Sequence, residues 1–237
     1  MSVKGIIIEG PDGAGKTSVA NELGKWFRKE RGLSSIVYSV PGSTVVGREI
    51  RGLLLGEHGP ELSPLCERLL FLADHAQFIE RVWDVLVEKN KNEPDDLIVI
   101  CDRWTPCSNL AYASAKRLDG GYDVDIDLLD RVAVDLFDKV GFSNRKRQLF
   151  DLAFVLDVRP EVAENRLMGD GRTSEQNYLD LKSSGFKHNV RDFYLNNTRL
   201  NKYAEQGPFF VNANQGLTET VRQVTLVIES LISLGEF

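Results

Sequence analysis

The sequence is poor in cysteine, in long apolar runs and in surplus positive charge. Its three cysteines, Cys66, Cys101 and Cys107, contain no CxxC pair, which argues against a disulfide framework and favours a reducing, cytoplasmic compartment. No run approaches eighteen apolar residues and the N-terminus does not resemble a signal peptide, so we expect no membrane span. The net charge of −6 indicates no overall attraction to nucleic acid or anionic membranes.

Internal repeats, low-complexity segments and a linker rich in proline, glycine or serine are also missing from the sequence. The chain has 237 residues, of which 42% are hydrophobic, and this is enough for one sizeable α/β domain. We therefore predict a single domain over residues 1–237.

Five short apolar runs alternate with longer amphipathic segments. Their continuous apolar character is typical of strands covered on both faces, and strands alternating with helices predict right-handed βαβ units. The sequence therefore predicts an α/β fold with a five-stranded parallel sheet and helices on both faces. The predicted strands are residues 3–9, 35–40, 97–102, 152–158 and 209–212.

Apolar residues at three- and four-residue steps predict two helices that face the core. The first stripe consists of Leu65, Leu69, Leu72, Ala76, Ile79, Trp83 and Leu86. The second stripe consists of Leu128, Leu129, Val132, Leu136 and Val140.

The segment EGPDGAGKTS, residues 9–18, has the spacing G-x-x-x-x-G-K-T directly after the first apolar run. Its glycines let backbone N–H groups turn toward phosphate oxygens, and the following helix adds its positive dipole end. Lys16 would reach the β- and γ-phosphates and the Thr17 hydroxyl would ligate Mg²⁺. A ligand-free glycine turn is disfavoured because every fixed position agrees. The predicted ATP-binding residues are Gly10, Gly13, Ala14, Gly15, Lys16, Thr17 and Ser18.

Three further polar residues are predicted to lie near this loop. Asp12, inside it, either coordinates Mg²⁺ through water, accepts a hydrogen bond from a second substrate, or simply favours the helix dipole. Asp102 and Arg103 follow the apolar strand in LIVICDRW, at the sheet edge where ligands bind. Asp102 is a candidate to hold the hydration shell of Mg²⁺, and Arg103 to grip a phosphate, although a surface salt bridge is the alternative.

Two other segments supply candidates for the second substrate. VPGSTVVGREIRGLLL, residues 40–55, predicts a turn followed by a helix that carries Arg51. In LLFLADHAQ, residues 69–77, Phe71 and His75 lie four apart on one helical face. Phe71 is a candidate to stack on a base and His75 to hydrogen-bond its edge, with core packing as the alternative for each.

Six segments, in this order, resemble those of thymidylate kinases: EGPDGAGKT, PGST…GREIR…LLL, LLFLADHAQ, DRW…SNLAY, DLAFVLDVRPEVAENR and VRDFYL. The resemblance extends from about residue 4 to residue 195. Thymidylate kinases are P-loop nucleoside monophosphate kinases that make dTDP from dTMP with ATP and Mg²⁺, usually as homodimers. The resemblance implies a three-layer P-loop kinase fold with a short lid.

The resemblance also implies residue roles. Arg51 and Arg103 would clamp the acceptor phosphate, and Asp12 would lie near the acceptor's sugar and phosphate. Tyr112 resembles the ring beneath the deoxyribose, where a 2′-hydroxyl would clash. The implied substrate-binding residues are Asp12, Pro41, Arg51, Phe71, His75, Arg103, Ser108, Tyr112 and Tyr178.

Four departures from the family pattern favour a shifted range of acceptors. His75 stands where the family usually has a base-binding arginine, and Ala113 where glutamine often follows the tyrosine. The segment from Asp102 to Tyr112 is one residue longer than usual, and Tyr178 replaces a basic residue.

The segment MGDGRTSEQ predicts a closing lid over residues 166–182. An arginine in such a loop neutralises the transferring group and helps to exclude water. We predict Arg172 as this arginine, with Arg166 nearby and Lys182 and Lys187 as further candidates; a solvated loop is the alternative.

The sequence predicts transfer of the γ-phosphoryl group of ATP, bound with Mg²⁺, to a deoxynucleoside monophosphate, with dTMP preferred. The predicted catalytic residues are Asp12, Lys16, Arg103 and Arg172. A kinase for another nucleotide or a nucleoside and an inactive binding homologue stay open. A GTP-dependent switch is disfavoured, because the guanine-reading N-K-x-D segment is missing and the last strand is followed by NANQGL.

Overall fold

The computed structural model describes residues 3–90, 92–93, 96–120, 125–139, 150–169, 182–196 and 201–237. Its five strands form one parallel sheet in the order β2-β3-β1-β4-β5, which confirms the predicted sheet. The strands are β1 (Val3–Glu9), β2 (Ser34–Ser39), β3 (Leu97–Asp102), β4 (Phe150–Asp157) and β5 (Ala204–Asn212). The edge strand β5 begins before the predicted residue 209, because its first half, AEQGP, is polar and carries no apolar signal.

Nine α-helices lie within the described residues. They are α1 (Lys16–Glu30), α2 (Val45–Leu55), α3 (Pro64–Phe78), α4 (Asp84–Asn90), α5 (Thr105–Leu118), α6 (Ile126–Lys139), α7 (Pro160–Gly169), α8 (Ser184–Asn196) and α9 (Leu217–Leu234). A 3₁₀ turn (Gly59–Glu61) precedes α3, and a π-helical turn (Ile79–Trp83) joins α3 to α4. None of the described helices is long and apolar enough to cross a bilayer.

The sheet separates two apolar cores, because side chains alternate along each strand. In β1, Ile7 faces one core, while Ile6 and Ile8 face the other. Helices α1 and α9 pack on the Ile6 side, and α3, α5 and α8 pack on the Ile7 side. The fold therefore has the three predicted layers, with the loops that follow β1 and β3 at one edge of the sheet.

The apolar stripe predicted for the first long helix is wrong at its first two positions. Leu65 and Leu69 are 52% and 49% exposed, whereas Arg68 and His75 lie on the buried face of α3. Buried polar side chains carry no hydrophobic signal. The apolar periodicity therefore predicted a buried face of α3 that is rotated from the face buried in the structure. The π-helical turn (Ile79–Trp83) then changes the helical register and brings its apolar residues into the core.

The second predicted stripe is partly outside the described residues. In α6, Leu129 is buried, but the neighbouring Leu128 is exposed. Val140 and the side chain of Leu136 lie outside the described residues.

Candidate active site

The loop between β1 and α1 has a backbone that glycine accommodates. Gly10, Gly13 and Gly15 have φ angles of 137°, 77° and 87°, a region that side chains with a Cβ rarely adopt. A Cβ on Gly13 would lie 2.7 Å from the carbonyl oxygen of Ala163 in α7. The tight spacing of this motif therefore reflects both backbone conformation and close packing on a second helix.

Lys16 occupies the first turn of α1 with its side chain buried in the loop. Its Nζ donates to the carbonyl oxygen of Pro11 at 2.6 Å and lies 4.0 Å from Asp12 Oδ1. Burial, followed by the nearby Arg103, lowers the pKa of Lys16 to about 8. Asp12 is one anion beside this amine. A polyphosphate bound in the loop would be a second anion and would favour the charged form of Lys16 further.

A cleft of about 640 Å³ opens above this loop. Of the predicted ATP-binding residues, Gly13, Ala14, Gly15, Lys16, Thr17 and Ser18 line the cleft. Gly10 lies beneath the loop instead, where a Cβ would be 2.6 Å from the carbonyl oxygen of Leu156. The far end of the cleft is formed by Gln215, Gly216, Leu217 and Thr220 at the start of α9.

Three side-chain oxygens meet at one wall of the cleft. Thr17 Oγ1 donates to Asp102 Oδ2 at 2.5 Å, and Ser39 Oγ donates to the same carboxylate oxygen at 3.4 Å. Asp102 ends β3, and Ser39 ends its neighbour β2, so the parallel register brings them together. A hydroxyl and a carboxylate beside a phosphate cradle fit a hard divalent cation, which such sites hold jointly with phosphate oxygens.

Asp12 is the centre of a charged cluster at the mouth of the loop. The Arg103 guanidinium donates to Asp12, and the Tyr112 hydroxyl donates to Asp12 Oδ2 at 2.5 Å. Burial would raise the pKa of Asp12, but Arg103 and Lys16 outweigh burial and hold that pKa below its ordinary value. Asp12 is therefore an anion placed between two cations.

Arg103 has a strained backbone, with a φ of 74° that is rare for a residue other than glycine. Its backbone N–H donates to the carbonyl oxygen of Ile8 at 3.0 Å, and its guanidinium lies 5.7 Å from the Tyr112 ring centroid. The neighbouring Asp12 raises the pKa of Arg103 despite its burial. Arg103 therefore presents a permanent cation to Asp12 at the edge of the sheet.

Glu9 is a buried residue of this cluster that sequence reasoning missed. Its carboxylate accepts hydrogen bonds from Trp104 N at 2.6 Å, from Ser108 Oγ at 3.1 Å and from Tyr194 hydroxyl at 2.9 Å. Burial raises the pKa of Glu9, although Arg103 and these hydrogen bonds oppose the rise. The available signal was a charged residue closing an otherwise apolar strand.

A smaller cavity of about 90 Å³ adjoins the cleft. Four residues line both spaces: Asp12, Val40, Arg51 and Arg103. The rest of the cavity wall consists of Pro41, Leu55, Arg68, Phe71, Ser108 and Tyr112. Arg51 Nη1 donates to the carbonyl oxygen of Pro41 at 2.9 Å, which fixes the turn after β2 against α2. The structure thus brings seven of the predicted substrate-binding residues to one cavity.

His75 and Ala113 do not line this cavity. His75 is fully buried, with its ring centroid 3.7 Å from that of Trp104, and burial holds its pKa well below 6.5. Ala113 lies in a small core cluster with Leu72 and Leu110. In the structure His75 packs in the core, which is the alternative that the sequence left open.

The predicted lid lies largely outside the described residues. Arg172 and Tyr178 are both among the residues that the structure does not describe. Arg166, in α7, donates to the carbonyl oxygens of Gly13 at 3.4 Å and Gln215 at 2.6 Å, and it lines the cleft. Lys187 pairs with Glu164 at 3.0 Å, and Lys182 lies just before α8.

Comparison with known proteins gives one consistent result. The family model "Thymidylate kinase" matches residues 8–224. The chain is 30% identical to a thymidylate kinase of Clostridium novyi over 92% of this chain and 95% of that protein. It is 32% identical to one of Pelotomaculum thermopropionicum over 82% and 80%, respectively. Its fold matches the crystal structure of thymidylate kinase from Ehrlichia chaffeensis with a TM-score of 0.66, 21% identity and coverage of 97% and 99%.

Proposed function

This chain belongs to the thymidylate kinase family, and we propose that it transfers the γ-phosphoryl group of ATP to dTMP, giving dTDP and ADP. The observation that carries this proposal is the junction between the two spaces. Asp12, Arg51 and Arg103 line both the phosphate-binding cleft and the smaller cavity. A donor in the cleft and an acceptor in the cavity therefore meet at the same three charged side chains.

On the donor side, the loop amides and Lys16 hold the polyphosphate. Their N–H groups and the α1 dipole act on charge that develops during transfer, so catalysis is positioning and electrostatic stabilisation. Arg166 and the start of α9 form the opposite end of the cleft. This space beyond the loop supports a position there for the remainder of ATP.

On the acceptor side, Arg51 and Arg103 hold the phosphate of dTMP. This phosphate is already a dianion, so attack on the γ-phosphorus needs no strong base. Tyr112 and Asp12 lie together beneath the sugar, and Phe71 and Pro41 form the wall for the base. Ser108 supports Arg103 through a 3.4 Å hydrogen bond from the guanidinium.

Family membership implies a divalent metal ion, and we propose that this ion is Mg²⁺. Thr17 would ligate it directly, and Asp102 would hold it through water. Their shared position at the cleft wall supports both roles. When bound, Mg²⁺ neutralises charge on the phosphates. The protein's own residues orient the two substrates and exclude water.

We extend the proposal to the lid and to the assembly. Residues 1–237 form a single kinase domain in which Arg172 in the lid stabilises the transferring group and Tyr178 contacts substrate. The enzyme works in the cytoplasm as a homodimer.

The half-exposed Leu65 and Leu69 on α3 support an apolar contact between two copies. Sedimentation velocity tests this: Leu69→Glu should convert a dimer to a monomer, and a monomeric wild type contradicts it.

Release of ADP with a panel of acceptors tests the proposed function. The panel contains dTMP, dUMP, dCMP, thymidine and a reaction without acceptor. We expect the highest kcat/KM with dTMP and almost no ADP without acceptor. Equal rates across the panel, or ADP release that needs no acceptor, would contradict the proposal.

A further inference from the structure

The acceptor cavity has a second cationic wall, away from the junction with the cleft. Arg51 and Arg103 line both spaces, whereas Arg68 lines only the cavity. Arg68 lies in α3, one turn before Phe71, and its guanidinium is 5.3 Å from the Phe71 ring centroid. If the acceptor phosphate occupies the junction, Arg68 lies at the base end of the cavity.

The Arg68 guanidinium is buried but incompletely hydrogen-bonded. Its side chain is 1% exposed, and its Nη1 donates to the carbonyl oxygen of Asn109 at 3.0 Å. Nη2 lies 2.7 Å from Glu67 Oε2 as an ion pair, yet makes no hydrogen bond of good geometry within the described residues. A guanidinium has five N–H donors, so Arg68 retains donor capacity beside the cavity.

Arg68 belongs to a charged group beside the cavity. The Glu67 carboxylate lies 2.7 Å from Arg68 and 2.5 Å from Lys116. Burial and the nearby Arg68 lower the pKa of Lys116, while Glu67 opposes this fall. Arg68 is thus a cation that Glu67 and the carbonyl oxygen of Asn109 hold in place at the cavity wall.

We propose that Arg68 is a specificity-determining residue, which donates to a ring carbonyl oxygen of the acceptor base and thereby selects 4-oxo over 4-amino pyrimidines. This inference rests on the proposed function. Guanidinium has donors and no acceptor, so it stabilises the O4 of thymine or uracil and opposes the amino group of cytosine. Phe71 provides the flat surface for the ring, and Arg68 reads its edge.

A thermodynamic cycle that combines a change in the protein with a change in the substrate tests the contact between Arg68 and the base. The substrates are dTMP and 5-methyl-dCMP, which differ at the 4-position and the adjacent ring nitrogen, and the variants are wild type and Arg68→Met. We expect Arg68→Met to lower kcat/KM for dTMP about 10–100-fold, the size of a hydrogen bond to a charged group, and to leave 5-methyl-dCMP unchanged or improved. An unchanged preference between the two substrates overturns the inference.

Lys116→Met is the matched control, because it removes the other cation of the Glu67 pair without touching the cavity wall. Its substrate preference should equal that of the wild type. Arg68→Lys keeps the charge but loses the planar fork, so its preference should be intermediate. If Arg68→Met does not fold, Arg68→Lys decides, and a wild-type preference in it overturns the inference.

The two levels of the proposal fail differently. A wild-type enzyme that does not phosphorylate dTMP contradicts the proposed function. A wild type that phosphorylates dTMP, with a preference that is insensitive to Arg68, contradicts only the role of Arg68.

Discussion

The donor cleft and the acceptor cavity are built in different ways. The wall of the donor cleft at the loop comes from one continuous segment, residues 12–18, whose backbone conformation depends on glycines with positive φ. The acceptor cavity is made of Asp12 from the loop after β1 and of side chains from the loop after β2, from α2, α3 and α5, and from the end of β3. A continuous segment can be recognised by its spacing, whereas the cavity exists only after the chain has folded. Three substitutions and one pH titration are expected to affect the donor cleft and the acceptor cavity differently.

The largest effect is expected where the regions meet. Arg103→Ala removes the cation shared by the cleft and the cavity and leaves Asp12 without its closest partner. We expect kcat/KM for dTMP to fall about 10²–10³-fold, with ATP binding largely retained. Steady-state kinetics and calorimetric titration with ATP measure the two quantities. Arg28→Ala, an exposed arginine on α1, is the control, and wild-type turnover by Arg103→Ala would refute the assignment.

Gly13→Ala should impair the donor side alone. The added Cβ meets the Ala163 backbone at 2.7 Å and faces a φ of 77°. Strain of this kind costs about 1–3 kcal/mol, so the free energy of unfolding should fall by about that amount. The loop should relieve part of the strain by shifting from its phosphate-binding conformation, so ATP should also bind more weakly. Thermal unfolding and ATP titration report this, while the KM for dTMP changes little. Gly32→Ala has a similar φ of 66° but open space around it, so it should cost less stability. Equal costs for the two would show that the packing on α7 is unimportant.

The donor side should also respond to pH through Lys16. The pKa of Lys16 in the free protein is about 8, so its ammonium group is present below that pH and is lost above it. ATP binds the cationic form, and its dissociation constant should therefore rise about tenfold per pH unit above about pH 8. Titrations between pH 7 and pH 9.5 measure the slope. Lys16→Arg, which does not titrate in this range, provides the flat control profile; a flat wild-type profile would contradict the role of Lys16.

The smallest effect is expected on the acceptor side. Tyr112→Phe removes the hydroxyl that donates to Asp12 and keeps the ring. We expect the KM for dTMP to rise about 10-fold, with the KM for ATP unchanged. Tyr203→Phe removes a similar bond, to Asp130, away from both spaces and should alter neither KM. A Tyr112→Phe enzyme whose KM rises for ATP rather than for dTMP would reverse the comparison.

The same contrast explains how much the sequence could predict. Lys16 and Thr17 follow from motif spacing, and Asp102 and Arg103 follow from the end of an apolar strand in a parallel sheet. The sheet itself was recognisable because its central strands are continuously apolar. Each of these features depends on neighbours in the sequence.

The remaining features depend on tertiary contacts. Glu9 and Arg68 are charged, so from sequence alone they resemble solvent-exposed residues, yet both are buried. His75 was a candidate to bind the base because of its position relative to Phe71, with core packing as the alternative, and in the structure it packs on Trp104. Hydrophobic periodicity predicted that Leu65 and Leu69, rather than Arg68, are buried, because a charged side chain adds no apolar signal. Which polar groups are buried is decided by partners far along the chain.

The most direct test of the account follows the γ-phosphoryl group itself. ATP labelled in that group is incubated with the wild-type enzyme, with dTMP and without it, and the products are separated. Because the cleft and the cavity meet at Asp12, Arg51 and Arg103, we expect the label in dTDP, with one ADP formed for each dTDP, and little label released without acceptor. Label that is released mainly as inorganic phosphate in the presence of dTMP would contradict transfer between the two spaces.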